Sequence, residues 1–240
     1  MSNFIYTGCD ELNQTEENLP NVNKNIVNNI CKIINVEKES NQILDFGAGI
    51  GTLSQILKYR DVGEITCFEI DLKLANECKK RGFHVITKEE ELAKYRYDFI
   101  FSSNVLEHIE DDDGAVKLIK KVTKKDGKIF ILVPAMRFLW TSMDERVGHV
   151  RRYKMKELAN LFNRNGFLVE SVKYTDFFGV LALLVVKIFG YNQAGILGGG
   201  KSLKFYNKFI YPFSIKLDFI FAKIIGKNLV LIAKNKITGL

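Results

Sequence analysis

The sequence predicts an α/β domain built on a parallel sheet with helices on both faces. Three observations carry that prediction. Short apolar runs alternate with polar, periodic segments of helical length. A glycine-rich turn, Gly47-Ala48-Gly49-Ile50-Gly51, closes the first run. The 240 residues, 47% of them hydrophobic, suffice for one full core. In chain order, a loop leads to a helix over Pro20 to Asn35, and strands follow at Gln42 to Phe46, Glu64 to Ile70, His84 to Ile86, Asp98 to Ser102 and Lys128 to Val133. Leu72 to Arg81 and Asp113 to Lys124 carry apolar residues at i, i+3 and i+4 with lysines opposite, the pattern of surface helices. Asp126-Gly127 is expected to turn the chain into the fifth strand. A sixth strand is expected at Leu168 to Tyr174 and a seventh at Asn228 to Ala233, with 51 residues (177–227) inserted between them. There is no internal repeat, and with 3 Pro no linker stands out.

Composition excludes disorder and a disulfide-stapled miniprotein. The four cysteines, Cys9, Cys31, Cys67 and Cys78, form no C-x-x-C pair and take no metal-ligand spacing with the three histidines, so reduced thiols and no metal are expected. The N-terminus lacks the basic and apolar regions of a secretory signal, which predicts a chain on the cytoplasmic side, at most peripheral at the inner membrane face. Charge is unevenly distributed. Met1 to Glu145 holds 19 Lys+Arg and 24 Asp+Glu, and Arg146 to Leu240 holds 16 and 4, so net charges of −5 and +12 make up the total of +7. A basic half that is also aromatic suits an anionic partner: a phospholipid surface, a phosphorylated substrate or RNA. Lysines scattered over a solvated face are the plain alternative.

The chemistry gathers around Ile43-Leu44-Asp45-Phe46-Gly47-Ala48-Gly49-Ile50-Gly51. A glycine-rich turn from the first strand into a helix is where an open α/β sheet binds its ligand. Its spacing is G-x-G-x-G, and Asp45 ends the strand. A carboxylate there repels a pyrophosphate but favours a ligand with an ammonium and a sulfonium, both carried by S-adenosylmethionine. The second strand ends at Glu69, eighteen residues after Gly51, where an acid can accept hydrogen bonds from both ribose hydroxyls. Asp71 is the alternative acid, or the cap of the next helix.

On these residues, and on YDFIFSSNVLEHIEDD after the third strand and GKIFILVP in the fifth, the sequence resembles class I S-adenosylmethionine-dependent methyltransferases over about Gln42 to Phe167. The later string DERVGHVRRY, Asp144 to Tyr153, makes it most like the subgroup associated with cell-envelope glycan and glycolipid biosynthesis. The resemblance implies a Rossmann-like seven-stranded sheet with the last strand antiparallel. It implies that Asp45, Gly47, Ala48, Gly49 and Gly51 hold the methionine end of the cofactor, Glu69 and Ile70 the ribose, and Asn104 the neighbourhood of the sulfonium methyl. Family members often carry an acid after strand three for the adenine; here Lys88 stands near that place, which passes the contact to Glu89 or a backbone group. The chain then divides into a helical N-terminal lid (1–40), a cofactor-binding core (41–176), an apolar and basic helical insert (177–227) and the last strand with a tail (228–240).

Methyl transfer to a hydroxyl needs alignment and removal of one proton. Among the histidines, His84 reads as structural, while His108 at the strand-four edge and His149 after strand five are candidates for the base. Arg151, Arg152 and Tyr153 are candidates for binding the acceptor, the two arginines by gripping a phosphate or carboxylate. Asp144 would orient His149 or Arg151, or be a turn residue. The run Phe177 to Gly190 has 14 residues, short of the ~20 that cross a bilayer. With Tyr206, Phe209, Tyr211, Phe213, Phe219 and Phe221 among lysines it fits an interfacial surface, or else core packing or a dimer contact. The expected activity is therefore O-methylation of a sugar or lipid-linked small molecule. A quinone precursor, RNA or a non-catalytic cofactor-binding role are the alternatives, and DNA is not expected because no N/D-P-P-Y/F motif follows strand four.

Overall fold

In the computed structural model, which describes residues 9–34, 41–189 and 200–236, seven strands form one sheet in the order β3-β2-β1-β4-β5-β7-β6. They are β1 (Gln42–Phe46), β2 (Glu64–Phe68), β3 (His84–Ile86), β4 (Tyr97–Ser103), β5 (Thr123–Pro134), β6 (Phe167–Thr175) and β7 (Asn228–Asn235). The first five run parallel, and β7 lies antiparallel between β5 and β6. The order reverses between β1 and β4, which opens a crevice at the carboxyl ends of those strands.

The helices are α1 (Cys9–Asn18), α2 (Pro20–Cys31), α3 (Thr52–Lys58), α4 (Leu72–Lys80), α5 (Glu89–Leu92), α6 (Asp112–Val122), α7 (Ser142–Arg146), α8 (Met155–Arg164), α9 (Phe177–Phe189), α10 (Gly200–Phe205) and α11 (Tyr211–Phe221). Alternation along the central strands sorts their side chains into two cores. Leu44, Ile100, Ile129 and Ile131 face α6 and α8 through Val116, Ile119, Leu158 and Phe162. Ile43, Phe99, Phe101 and Phe130 face α2 and α3 through Ile26, Val27, Ile30 and Leu57. Each such burial contributes about 1.5–3 kcal/mol, and both faces of the sheet are therefore dry.

Several bounds differ from expectation: α1 occupies a stretch read as loop, α2 ends at Cys31 short of the expected Asn35, which lies outside the described residues, and α6 and β4 shift by one or two residues. β2 stops at Phe68, so Glu69 and Ile70 lie on the loop beyond it. Asp126-Gly127 does not join helix to strand. α6 ends at Val122, β5 begins at Thr123, and the register jumps from Tyr97↔Thr123 to Phe99↔Lys128, looping Asp126 out at φ +61°. Thr123 fixes that start: its hydroxyl donates back to Ile119 O at 2.6 Å, and its carbonyl accepts from Asn235 Nδ2 at 2.7 Å.

The N-terminal helices and the insert meet above the crevice. Asn21 donates its backbone N–H to Asn207 Oδ1 (2.8 Å) and its side-chain amide to Asn207 O (2.9 Å), and Asn25 Nδ2 donates to Tyr211 OH (3.0 Å). A bidentate Arg81–Glu16 pair at 2.6 and 2.9 Å ties α1 to α4. The insert is anchored by polar groups: half-buried Asp218 accepts from Thr175 Oγ1, Asp176 N and Phe177 N, and buried Asp176 accepts from Ser214 Oγ and Tyr206 OH. The parts of the expected lid, insert and tail at 1–8, 35–40, 190–199 and 237–240 lie outside the described residues.

Candidate active site

A cavity of about 1200 Å³ opens at the reversal point. Its floor is the loop after β1. Gly47 sits at φ +78°, and a Cβ there would lie within 2.7 Å of both Val105 methyl carbons. Only glycine lets this backbone pass β4 so closely. Gly49, at φ +57°, donates its N–H to Glu69 Oε2 at 2.8 Å, while Asp71 N donates to Glu69 Oε1 at 2.9 Å. Glu69 thus braces the loop as well as lining the cavity. Asp71 is the cap of α4, accepting from Lys73 N and Leu74 N.

Asp45 is buried at the cavity wall and accepts from Ser54 Oγ at 2.7 Å. Burial lifts its pKa to about 7, the Ser54 hydrogen bond opposing the rise and the Glu69 charge adding to it. Burial likewise raises Glu69, against the N–H donors of Asp71 and Gly49. Two acids that resist ionisation when alone are matched by a cationic ligand. Gly47, Ala48, Gly49, Ile70 and Asn104 also line the cavity. Asn104 adopts φ +56°, a conformation asparagine tolerates better than most residues. Gly51 does not line it; this glycine, at φ +81°, precedes α3, where a Cβ would meet Cys78 Sγ at 3.1 Å. After strand three, Glu89 lines the cavity and Lys88 does not.

The opposite wall carries the histidines. A single tight turn, Leu106–His108, follows β4, and Glu107 O accepts from Val150 N at 2.8 Å, which zips the 149–150 segment against it. The His108 and His149 rings consequently stand 4.7 Å apart, edge to face, on the cavity. His149 Nδ1 lies 2.7 Å from Asp144 Oδ1, and His108 Nδ1 lies 3.2 Å from Gly148 O. Burial and the neighbouring His149 push the His108 pKa down to about 4. Beside the rings lies Glu107, 0% exposed, its Oε1 3.8 Å from His149 Nε2 and neither carboxylate oxygen hydrogen-bonded. Burial pushes its pKa up to about 8. Exposed His84 packs edge-on to Tyr95, away from this site.

Of the acceptor candidates Arg152 lines the cavity, while Arg151 and Tyr153 do not. Arg151 and Arg152 form no joint clamp. Arg152 is 5% exposed and grips Asp144 through Nε (2.8 Å) and a terminal nitrogen (3.0 Å), with Ala135 O at 3.1 Å. Arg151 pairs with Asp112 at 2.6 Å and donates to Glu110 O at 2.7 Å. Tyr153 is buried, and its hydroxyl donates toward Leu106 O and Asp112 rather than facing the cavity. Adjacent residues in this extended segment point to opposite sides, so two neighbouring arginines cannot converge on one anion. Asp144 orients His149 and Arg152 together. Burial works to raise its pKa, but the His149 and Arg152 hydrogen bonds and the Arg152 charge hold the carboxyl at about 2.

Two features escape sequence reasoning. Glu107 reads as an ordinary helix-turn acid beside His108, and only tertiary burial reveals it. The roof also needed the fold: Leu12, Thr15 and Val22 from the N-terminal helices and Ala182, Leu183 and Tyr206 from the insert all line the cavity. The fold also gathers Glu107, His108 and His149, with one potential ligand atom each within 4.8 Å of one another.

A reversal-point cavity with a glycine loop at positive φ, an acid ending β1 and another following β2 defines a nucleoside-cofactor enzyme of the seven-stranded α/β class. The chain belongs to the methyltransferase-domain family, whose model matches residues 17–172. It is an S-adenosylmethionine-dependent methyltransferase, and the buried acids Asp45 and Glu69 on the cavity suit a cofactor that carries positive charge. No curated protein matches the sequence. Among solved structures the chain is similar to a SAM-dependent methyltransferase of Thermotoga maritima (16% identity, TM-score 0.60, covering 95% of this chain and 97% of that one). It is also similar to one of Archaeoglobus fulgidus (15%, 0.58, 88% and 94%). A third is the phosphoethanolamine N-methyltransferase 2 of Haemonchus contortus in complex with S-adenosyl-L-methionine (17%, 0.56, 88% and 52%).

Proposed function

We propose that this methyltransferase O-methylates a sugar or lipid-linked small-molecule acceptor, as in the cell-envelope glycan and glycolipid subgroup its DERVGHVRRY string resembles. The observation that carries the reading is the His149 ring on the cavity wall with Asp144 behind it at 2.7 Å. An acceptor hydroxyl placed against the His108–His149–Glu107 cluster gives up its proton there, since a carboxylate behind an imidazole stabilises the positive charge the ring gains. The cofactor supplies an electrophilic methyl group. Asp45 and Glu69 hold its charged and hydroxyl-bearing ends, and the roof helices keep water from the reacting atoms.

The lipid part of the reading rests on the insert. Its inner face offers Ala182, Leu183 and Val186 to the cavity. Its outer face exposes Leu181, Ile188, Phe213, Phe219, Ile220 and Ile224, with Phe219 at 93%. Seven lysines and one aspartate lie in 177–227. That combination suits an anionic bilayer surface, and among the described residues no helix is long and apolar enough to cross a membrane.

Transfer of labelled methyl groups to lipid-linked sugars, free sugars, quinone precursors and RNA tests the proposal. Alkali-stable label on a hydroxyl of the sugar acceptors is expected. His149→Ala should lower turnover by ~100-fold or more while cofactor affinity holds. Methylation confined to nitrogen, to quinone precursors or to RNA would refute the acceptor class.

A further inference from the structure

We propose that Glu107, His108 and His149 form a binding site for a divalent transition-metal ion, open toward the cavity. This deepens the proposed function and rests on it only for the site's purpose, since binding itself can be measured alone.

The geometry points to a cation. One nitrogen from each ring and one Glu107 oxygen lie within 4.8 Å of one another, and His149 Nε2 is 3.8 Å from Glu107 Oε1. Ligand atoms sharing one ion at bonds of about 2.0–2.2 Å sit roughly 3–3.5 Å apart, so small side-chain rotations close the set. Glu107 supplies an independent observation. A carboxylate that is fully buried and hydrogen-bonded through neither oxygen is costly unless it meets a cation or keeps a proton. It is aimed at the two rings.

What stands behind the rings is arranged as it is behind metal-bound histidines. Asp144 faces His149 Nδ1 at 2.7 Å, and the Gly148 carbonyl faces His108 Nδ1 at 3.2 Å. Carbonyl and ionised carboxylate oxygens only accept, so Nδ1 is the donor in both rings and Nε2 is the nitrogen that would bind a metal. A carboxylate or carbonyl holding Nδ1–H fixes ring orientation and raises ligand basicity. Asp144 is itself immobilised by Arg152 and by Thr141 N at 2.8 Å. Two imidazoles and one carboxylate select a borderline ion such as Zn²⁺, Fe²⁺ or Co²⁺ over Mg²⁺ or Ca²⁺. Three protein ligands leave coordination positions on the cavity side; in the metal-loaded protein an acceptor hydroxyl bound there would be polarised and lose its proton to cavity water, in place of uptake by a ring whose Nε2 the metal occupies.

The test uses the full chain, stripped of metal with a chelator and titrated with Co²⁺ and then Zn²⁺. One equivalent of Co²⁺ should bind with visible ligand-field absorption, and Zn²⁺ should displace it and raise the melting temperature. Glu107→Gln, which keeps the side chain's shape, should weaken binding by at least ~10-fold. His149→Gln, at the cavity wall, serves as the second variant should Glu107→Gln not fold. Asp113→Asn, at a half-buried position off the cavity, should leave binding unchanged. Absence of a stoichiometric Co²⁺ band, or binding that survives both site variants, overturns the proposal. The two readings fail separately: Co²⁺ bound by the site without hydroxyl methylation rejects the acceptor class alone, and hydroxyl methylation in chelator by a protein that binds no Co²⁺ rejects the metal site alone.

Discussion

Asp144→Ala should destabilise the fold severely, because Asp144 and Arg152 form a buried pair rather than part of a substrate clamp. Asp144 is 1% exposed, and its carboxylate meets Thr141 N at 2.8 Å, His149 Nδ1 at 2.7 Å and Arg152 at 2.8 and 3.0 Å. Removing it leaves a buried guanidinium with the Ala135 carbonyl as its remaining recorded hydrogen-bond partner. Breaking a buried pair from one side costs about 3–5 kcal/mol, against a total stability of about 5–15 kcal/mol. With a urea slope of about 3 kcal/mol/M, the unfolding midpoint should fall by about 1–2 M. Arg152→Met should also destabilise, by stranding the carboxylate. The double variant Asp144→Ala/Arg152→Met should cost less than the two single changes together by at least about 2 kcal/mol, the signature of a coupled pair. Urea unfolding followed by circular dichroism measures all three. A midpoint within 0.3 M of wild type for Asp144→Ala, roughly 1 kcal/mol on that slope, or strict additivity in the cycle, would refute the reasoning and return Arg152 to the acceptor.

Cofactor binding should depend on pH through Asp45. Its folded pKa is lifted to about 7, so it keeps its proton as pH rises from about 4 and ionises near 7, and ionisation weakens the empty fold. A cationic ligand favours the ionised form. The S-adenosylhomocysteine affinity should therefore fall below pH 7 by up to ~tenfold per unit, and Asp45→Asn should flatten that dependence; calorimetry over pH 5.5–8 reads both. Gly47→Ala should lose about 1–3 kcal/mol of stability and most cofactor affinity, because the new Cβ combines positive φ with overlap on Val105; denaturation and ligand titration that both match wild type would remove the loop from the site. Phe213→Glu/Phe219→Glu should reduce sedimentation with anionic vesicles several-fold while leaving melting temperature within a few degrees, since both side chains are exposed.

The alternating strands, the loop from Asp45 to Gly51 and the acid after β2 were legible in the sequence because their physics is local. Alternation has a fixed period, a close backbone approach demands glycine, and an acid at a strand's end stays near that end wherever the strand goes. For the same reason β1, β3 and the insert boundaries match their expected positions, while the β5 start did not: Asp126-Gly127 is good turn chemistry, but pairing of Thr123 with Tyr97 draws the strand back across it. The His149 wall needed tertiary structure. Glu107 and His149 are forty-two residues apart, and the backbone bond from Val150 N to Glu107 O sets one beside the other. Likewise Arg151 and Arg152 are adjacent in sequence, yet the extended backbone sends one to Asp112 and the other to Asp144. Sequence thus determined the glycine loop and the acids at the ends of β1 and β2 that line one side of the cavity, because they act through their own segment's backbone. Tertiary structure decided the opposite wall, where burial and long-range contacts assign each charged group its partner.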